Sequence, residues 1–257
     1  MAGLLHADTA YPAGSRVLEA GCGVGAQTVT LARNSPGALI TSVDISGASV
    51  AEAGRRVAAA SLDNVQCEQA DLLHLPYAAA FFDHIFVCFV LEHLPRPVEA
   101  LRILKKHLRL GGTITVIEGD HGSVYFYPES ETARRAIQCQ VELQRRAGGN
   151  AMVGRELYPL LCAAGYGSIH VSPRMVYVDS SKPELVGGFT RNTFTAMIEG
   201  VREPALKAGI IDPDAFDKGI QDLYRTAAPN GVFCYTFFKA VGRNQRMIDT
   251  TVEDKRV

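Results

Sequence analysis

The stretch RVLEAGCGVGA, residues 16–26, decides the fold. Its first five residues, 16–20, are a mostly apolar run that predicts a short strand, and alternate glycines follow directly in 21–25. A helix-compatible stretch then continues to about residue 34. Glycines at the carboxyl end of a first strand allow a sharp turn and the close approach of a ligand to the main chain, and the next helix offers free N–H groups. The stretch therefore predicts an α/β protein that binds a ligand at this strand end.

The spacing of the glycines does not by itself fix the ligand. Gly21, Gly23 and Ala26 also fit the dinucleotide pattern G-x-G-x-x-[G/A], and Asp44 lies where that pattern places a ribose-binding acid. On this spacing alone an NAD-dependent oxidoreductase stays open. Glu19, directly before the glycines, favours a cofactor with a cationic amino or sulfonium group instead, because a carboxylate repels a pyrophosphate.

Residues 16–119 alternate short β-branched runs with longer helical patterns, which is typical of crossover connections and a parallel sheet. After residue 119 the alternation loosens into helical stretches and two more strands. The predicted strands are 16–20, 38–44, 64–70, 82–88, 113–118, 169–178 and 232–239. The predicted helices after the first are 46–61, 98–109, 130–147, 155–164 and most of 179–231.

Composition and charge exclude several classes of protein. Lys and Arg total 26 and Asp and Glu total 27, which gives a net charge of −1 and argues against nucleic acid held mainly through its phosphates. The longest apolar run, 85–91, is far shorter than the ~20 residues of a membrane-spanning helix, and residues 1–13 lack the features of a secretory signal. Six scattered cysteines favour free thiols in a reducing cytoplasm, and the dispersed histidines indicate no metal site.

The motifs E-x-G-x-G-x-G, V-D-I-S, A-D-L, F-D-H-I, L-E-H-L and L-G-G occur in this order. With them the chain resembles class I S-adenosylmethionine-dependent methyltransferases, in particular the group of the ubiquinone and menaquinone C-methyltransferases, over residues 16–119 and the last strand. The resemblance implies a Rossmann-like, doubly wound, mostly parallel seven-stranded sheet with an antiparallel last strand and helical cap insertions. It also implies methyl transfer from S-adenosylmethionine to an oxygen, nitrogen or carbon of a small molecule, with S-adenosylhomocysteine as the product.

The same resemblance assigns cofactor-binding roles. The methionine and ribose portion is assigned to Gly21, Cys22, Gly23 and Gly25, with Glu19 supporting their loop. Asp44 would bind the ribose hydroxyls, and Asp71 the adenine amine. Ile45 and Leu72 would pack on the two faces of the adenine. The main chain of Cys88 and Phe89 would bind the methionine ammonium. The alternative interpretation makes both aspartates caps of turns or helices, and the two apolar residues ordinary core.

A base is needed only if the acceptor must lose a proton. The best candidates follow the fifth predicted strand, in 118–122: His121 as the base or acceptor-orienting group, with Glu118 as its partner. The alternative is that both residues stabilise a glycine turn. Tyr125 and Tyr127 predict an aromatic pocket wall or satellite core, and His93 predicts either a pocket residue or a structural histidine.

We expect a single domain, 1–257, with 16–119 as the cofactor half and 120–153 and 179–231 as cap insertions that choose the substrate. We expect a monomer or a homodimer. The resemblance also implies a helical arm before the first strand, where only residues 1–15 stand, so either the later insertions cover the cofactor or this start is truncated. The alternatives to an active methyltransferase are the NAD-dependent enzyme and a non-catalytic cofactor-binding subunit or sensor.

Overall fold

The structure, a computed structural model, describes residues 1–245. In this part of the chain seven strands form one sheet in the order β3-β2-β1-β4-β5-β7-β6. The strands β1 to β5 pair in parallel, and β7 runs antiparallel to both β5 and β6. The predicted mostly parallel, Rossmann-like sheet with an antiparallel last strand is confirmed. The strands are β1 (Arg16–Ala20), β2 (Leu39–Asp44), β3 (Val65–Gln69), β4 (Phe82–Cys88), β5 (Leu108–Tyr127), β6 (Gly167–Val178) and β7 (Val232–Arg243).

The helices connect these strands and form an additional layer after β5. The first six are α1 (Ala2–Leu5), α2 (Thr28–Asn34), α3 (Gly47–Ala59), α4 (Pro97–His107), α5 (Glu131–Arg146) and α6 (Leu157–Ala163). Between β6 and β7 follow α7 (Pro183–Leu185), a π-helix (Val186–Thr195), α8 (Ala196–Glu199), α9 (Arg202–Lys207) and α10 (Pro213–Arg225). In residues 1–245 there is no helix with the length and apolarity needed to span a bilayer.

Side-chain caps begin the helices that the sequence predicts best. The Ser46 hydroxyl accepts from Ser49 N at 3.2 Å at the start of α3. The Ser130 hydroxyl does the same for Ala133 N at 3.1 Å at the start of α5. These caps fix where each helix begins, because they satisfy backbone donors that lack a partner within the helix.

Each face of the sheet has its own apolar core. On one face Leu18, Ile85 and Val116 pack with α4 and α6. On the other, Phe86 and Ile117 belong to a core that continues through α2, α5, the π-helix and α10. The two predicted cap segments therefore meet in one helical layer over this second face, where α10 packs against both α5 and the π-helix.

The length of β5 corrects one prediction. The fifth strand was predicted to end at Glu118, but β5 continues to Tyr127, with an irregular register between Asp120 and Tyr125. The reason is β7, whose residues as far as Val232 supply backbone partners along this extension. Residues 120–127 of the first predicted cap insertion are therefore strand.

Candidate cofactor and acceptor site

The glycine loop is fixed by close packing at its two ends. Gly21 has φ +81° and Gly25 has φ +80°, in the left-handed region that glycine adopts without strain. A Cβ atom on Gly25 would lie 2.8 Å from the Cα of Ala53, and one on Gly21 would collide with the Val90 side chain. A Cβ on Gly23 would meet no atom within 4 Å, so the middle of the loop borders open space where a ligand can approach the main chain.

Two carboxylates beside this loop have different environments. Asp44, at the end of β2, accepts from Gly23 N at 2.8 Å and from Ser46 N at 2.9 Å, and it remains partly exposed. Glu19 is 2% exposed, and its Oε2 accepts from the Ser42 hydroxyl at 2.6 Å. Burial raises the pKa of Glu19, which the Ser42 hydrogen bond partly opposes. Asp44 is therefore placed to contact a ligand, whereas Glu19 supports the loop from within the fold.

The predicted adenine region lies after β2 and β3. Ile45 is 68% exposed, and Leu72 is partly exposed. The Asp71 carboxylate accepts from Leu73 N at 2.8 Å and pairs with His74 Nδ1 at 2.8 Å, and this contact with His74 lowers the pKa of Asp71. Asp71 thus caps a short 3₁₀ turn, the alternative considered from the sequence, and contact with an adenine amine stays a prediction.

The chain leaves β4 through a constrained turn. Cys88 is buried, and Phe89 has φ +59°, which is rare for a residue with a bulky side chain. Phe89 N donates to Ile117 O at 2.9 Å. Glu118 Oε1 then accepts from Val90 N at 3.0 Å and from Leu91 N at 2.8 Å.

Glu118 is fully buried, and its second oxygen, Oε2, has no hydrogen-bond partner within residues 1–245. Burial, together with the nearby charge of Glu92, raises the pKa of Glu118 to about 8. Glu118 is therefore a protonated, neutral acid at neutral pH.

His121 is buried beside the helical layer. Its Nδ1 lies 3.2 Å from the Ala151 carbonyl oxygen and 3.1 Å from the Tyr235 hydroxyl oxygen. Its Nε2 is buried and has no partner among the described residues. Burial lowers the pKa of His121, although the charges of Glu92 and Asp120 oppose this.

The predicted pairing of Glu118 with His121 is wrong. In the described part of the chain, Glu118 accepts only from the turn after β4, and His121 bonds Ala151 and Tyr235. Glu118 and His121 lie three positions apart on one strand. Side chains alternate between the two faces of a strand, so residues an odd number of positions apart point to opposite faces.

The predicted aromatic wall is divided between the two faces of the sheet. Tyr125 and Tyr127 are 66% and 58% exposed, whereas Phe126 between them is buried. Tyr125 pairs with Cys234, so it lies on the face opposite that of Tyr235, the partner of His121. The two tyrosines therefore do not line a pocket that contains the His121 ring.

The 3₁₀ turn Leu91–His93 holds an acid that the sequence analysis did not select. His93 is exposed and lies 3.3 Å from Glu92, and this contact raises the pKa of His93. Glu92 itself is only 14% exposed, and its charge acts on both Glu118 and His121. The L-E-H-L motif drew attention to its histidine, but the charge of the acid before it acts on both buried groups.

An S-adenosyl cofactor fits these residues. The open space along Gly23, the partly exposed Asp44 and the exposed Ile45 together offer backbone amides, a carboxylate and an apolar face. No group of three or more His, Cys, Asp and Glu in residues 1–245 is arranged to hold a metal ion. The sheet order and the strand-end loop define the class, an α/β domain with a ligand site at the carboxyl ends of its parallel strands.

Residues 18–116 match the family model described as a methyltransferase domain. An uncharacterised 37.1 kDa protein of transposon Tn4556 from Streptomyces fradiae is 32% identical over 200 residues, which are 77% of this chain and 56% of that protein. The 27-O-demethylrifamycin SV methyltransferase of Amycolatopsis mediterranei is 28% identical, over 76% of this chain and 66% of that enzyme. The chain thus spans little more than half the length of the first of these relatives.

The crystal structure of the YcgJ protein from Bacillus subtilis has the same fold, with a TM-score of 0.60 at 16% identity over 95% of this chain and 98% of that one. The predicted resemblance to S-adenosylmethionine-dependent methyltransferases is confirmed for this domain. These matches favour the methyltransferase interpretation of the glycine loop over the dinucleotide one.

Proposed function

We propose that this protein transfers the methyl group of S-adenosylmethionine to a hydroxyl group of a small molecule. When bound, the cofactor supplies a methyl group that its sulfonium has already activated, so the protein must position the acceptor and remove its proton. Gly21 to Gly25, Asp44 and the turn after β4 would hold the cofactor. His121 would accept the proton from the acceptor hydroxyl.

The contact between His121 Nδ1 and Ala151 O carries this proposal. A carbonyl oxygen can only accept, so Nδ1 bears the hydrogen and Nε2 presents a lone pair. Burial keeps the imidazole neutral by lowering its pKa. A neutral imidazole whose free nitrogen is buried and lacks a partner is suited to take a proton from an O–H group.

The relative named for 27-O-demethylrifamycin SV supports an oxygen acceptor. Acceptor choice would depend on the helical layer, since the Phe194 ring of the π-helix lies 5.9 Å from the His121 ring. An amine acceptor, in contrast, would be mostly protonated at neutral pH, and a protonated amine has no lone pair to receive the methyl group.

The test is incubation with methyl-labelled S-adenosylmethionine and a metabolite extract, followed by mass spectrometry of labelled products. We expect a labelled methyl ether, and His121→Ala should abolish its formation while the affinity for S-adenosylhomocysteine stays unchanged. His170→Ala removes an exposed histidine of β6 and is the matched control. Labelled carbon or nitrogen products would refute the hydroxyl assignment. Cofactor binding without any labelled product would support the non-catalytic alternative.

A further inference from the structure

The turn after β4 is strained at Phe89, one of the residues assigned to the cofactor. Phe89 is assigned to the methionine ammonium through its main chain, and its φ of +59° is a conformation that the surrounding contacts must maintain. One such contact is the hydrogen bond from Phe89 N to Ile117 O, at 2.9 Å. The next two backbone N–H groups of the turn, those of Val90 and Leu91, donate to a side chain.

That side chain is Glu118, the neighbour of Ile117 on β5. Its Oε1 accepts from both Val90 N and Leu91 N, at 3.0 and 2.8 Å, and the residue has no exposed surface. An apolar side chain of the same size would leave two backbone donors without this acceptor, and buried donors are costly to leave unpaired.

The turn after β4 also packs against the glycine loop. Gly21 lies so close to the Val90 side chain that a Cβ atom could not be added to it. Because Glu118 fixes the amide of Val90, it also fixes the side chain against which Gly21 packs. A displacement of this turn would therefore move both assigned cofactor contacts, the Phe89 main chain and the first glycine of the loop.

We propose that Glu118 is a positioning residue that holds the β4 turn and the glycine loop in the conformation that binds the cofactor, and that it does not take part in proton transfer with His121. The inference rests on the proposed function in that it takes the cofactor to be S-adenosylmethionine. Oε1 accepts from both amides, so we expect the acid proton on the unpartnered Oε2, and a glutamine, which is also neutral and has an acceptor at Oε1, should replace Glu118.

The experiment measures S-adenosylhomocysteine affinity by calorimetry in three variants, with thermal unfolding to confirm the fold. Glu118→Met keeps the volume but has no acceptor, and Glu118→Asp is too short to reach the two amides. Each should weaken binding about tenfold or more, as expected for two lost hydrogen bonds. Glu118→Gln should bind within about threefold of the wild type, because its carbonyl oxygen accepts from both amides. His121→Ala is the control for a buried polar residue on the same strand, and its affinity should not change.

Wild-type affinity in both Glu118→Met and Glu118→Asp would overturn the proposal, and so would a tenfold loss in Glu118→Gln. If Glu118→Met does not fold, Glu118→Asp and Glu118→Gln still decide, because the first should lose affinity and the second retain it. Failure of the wild type itself to bind S-adenosylhomocysteine would instead refute the proposed function.

Discussion

Asp44 connects the glycine loop to the end of β2 with one carboxylate. One oxygen accepts from Gly23 N and the other from Ser46 N, at 2.8 and 2.9 Å. A carboxylate oxygen can accept a second hydrogen bond, and Asp44 is only partly buried. The residue therefore orders the loop and still has the capacity to bind ribose hydroxyls.

We predict that Asp44→Ala weakens S-adenosylhomocysteine binding about 100-fold, because charge-assisted hydrogen bonds to the ribose and the order of the loop are lost together. Calorimetry measures the affinity, and circular dichroism should show an unchanged fold. The control is Asp63→Ala, which removes an exposed carboxylate between α3 and β3. Equal affinity in the wild type and Asp44→Ala would refute the ribose assignment.

Glu118 gives a prediction about pH. Its pKa is about 8 in the fold against an ordinary value of 4.5. Between these pH values the unfolded chain releases the proton and the folded chain keeps it, so the contribution of Glu118 to stability falls as the pH rises from 4.5 to about 8. The loss amounts to about 1.4 kcal/mol for each pKa unit of the shift.

Glu118→Gln cannot ionise, so its free energy of unfolding should fall less steeply with pH in this window than that of the wild type. Urea unfolding of both proteins at several pH values from about 5 to about 9 measures the difference. Parallel curves for the two proteins would show that the carboxyl of Glu118 is not protonated in the fold.

At the scale of elements, the sequence predicts strands better than it predicts their ends. Arg16–Ala20 and Phe82–Cys88 have the predicted bounds because both are apolar runs next to clear breaks. β5 extends nine residues past its predicted end at Glu118, since the glycines there remain in a strand only through pairing with β7. A local sequence pattern around residues 119–127 carries no information about a strand partner that lies about a hundred residues away in the chain.

In the candidate site, too, the sequence predicted local contacts better than contacts between distant segments. The glycine loop and Asp44 form from one local strand-loop-helix unit and the next strand, so their placement followed from motif spacing. Glu118 is different, because the backbone N–H groups from which it accepts belong to the turn after β4. The partnership of His121 likewise depends on Ala151 and Tyr235, from two other segments.

The π-helix Val186–Thr195 was not foreseen beyond its helical character, and it contains two buried, unpartnered hydroxyls. We predict that Thr195→Val stabilises the protein by about 1 kcal/mol, because it removes a buried donor without a partner among the described residues. Thr226→Val is the control, since that buried hydroxyl donates to Leu223 O at 2.7 Å and its removal should not stabilise. Denaturant unfolding measures both; a destabilised Thr195→Val would indicate that its hydroxyl has a partner after all.

At the scale of the whole molecule, residues 1–15 connect distant parts of the sheet. The His6 ring stacks on Phe86 of β4 and its Nε2 lies 2.8 Å from Gln27 Oε1, just after the glycine loop. A few residues later in the same segment, Ala7 O and Thr9 Oγ1 accept from the buried Lys239 of β7, both at 2.6 Å. This segment thus ties β7, on one side of the sheet, to the cofactor loop on the other.

Lys239 is almost fully buried, at 3% exposure. Burial lowers the pKa of its ammonium group to about 8. We predict that Lys239→Met lowers the free energy of unfolding by about 2–3 kcal/mol, because two hydrogen bonds from a charged donor are lost while methionine retains most of the packing. The release of residues 6–9 should also speed amide exchange at Thr9, which donates to His6 O at 2.8 Å. Lys106→Met, on the exposed side of α4, should change stability by less than about 0.5 kcal/mol. Hydrogen exchange that stays slow at Thr9, in a Lys239→Met protein as stable as the wild type, would show that the segment is held by apolar packing of Leu5 and Tyr11 alone.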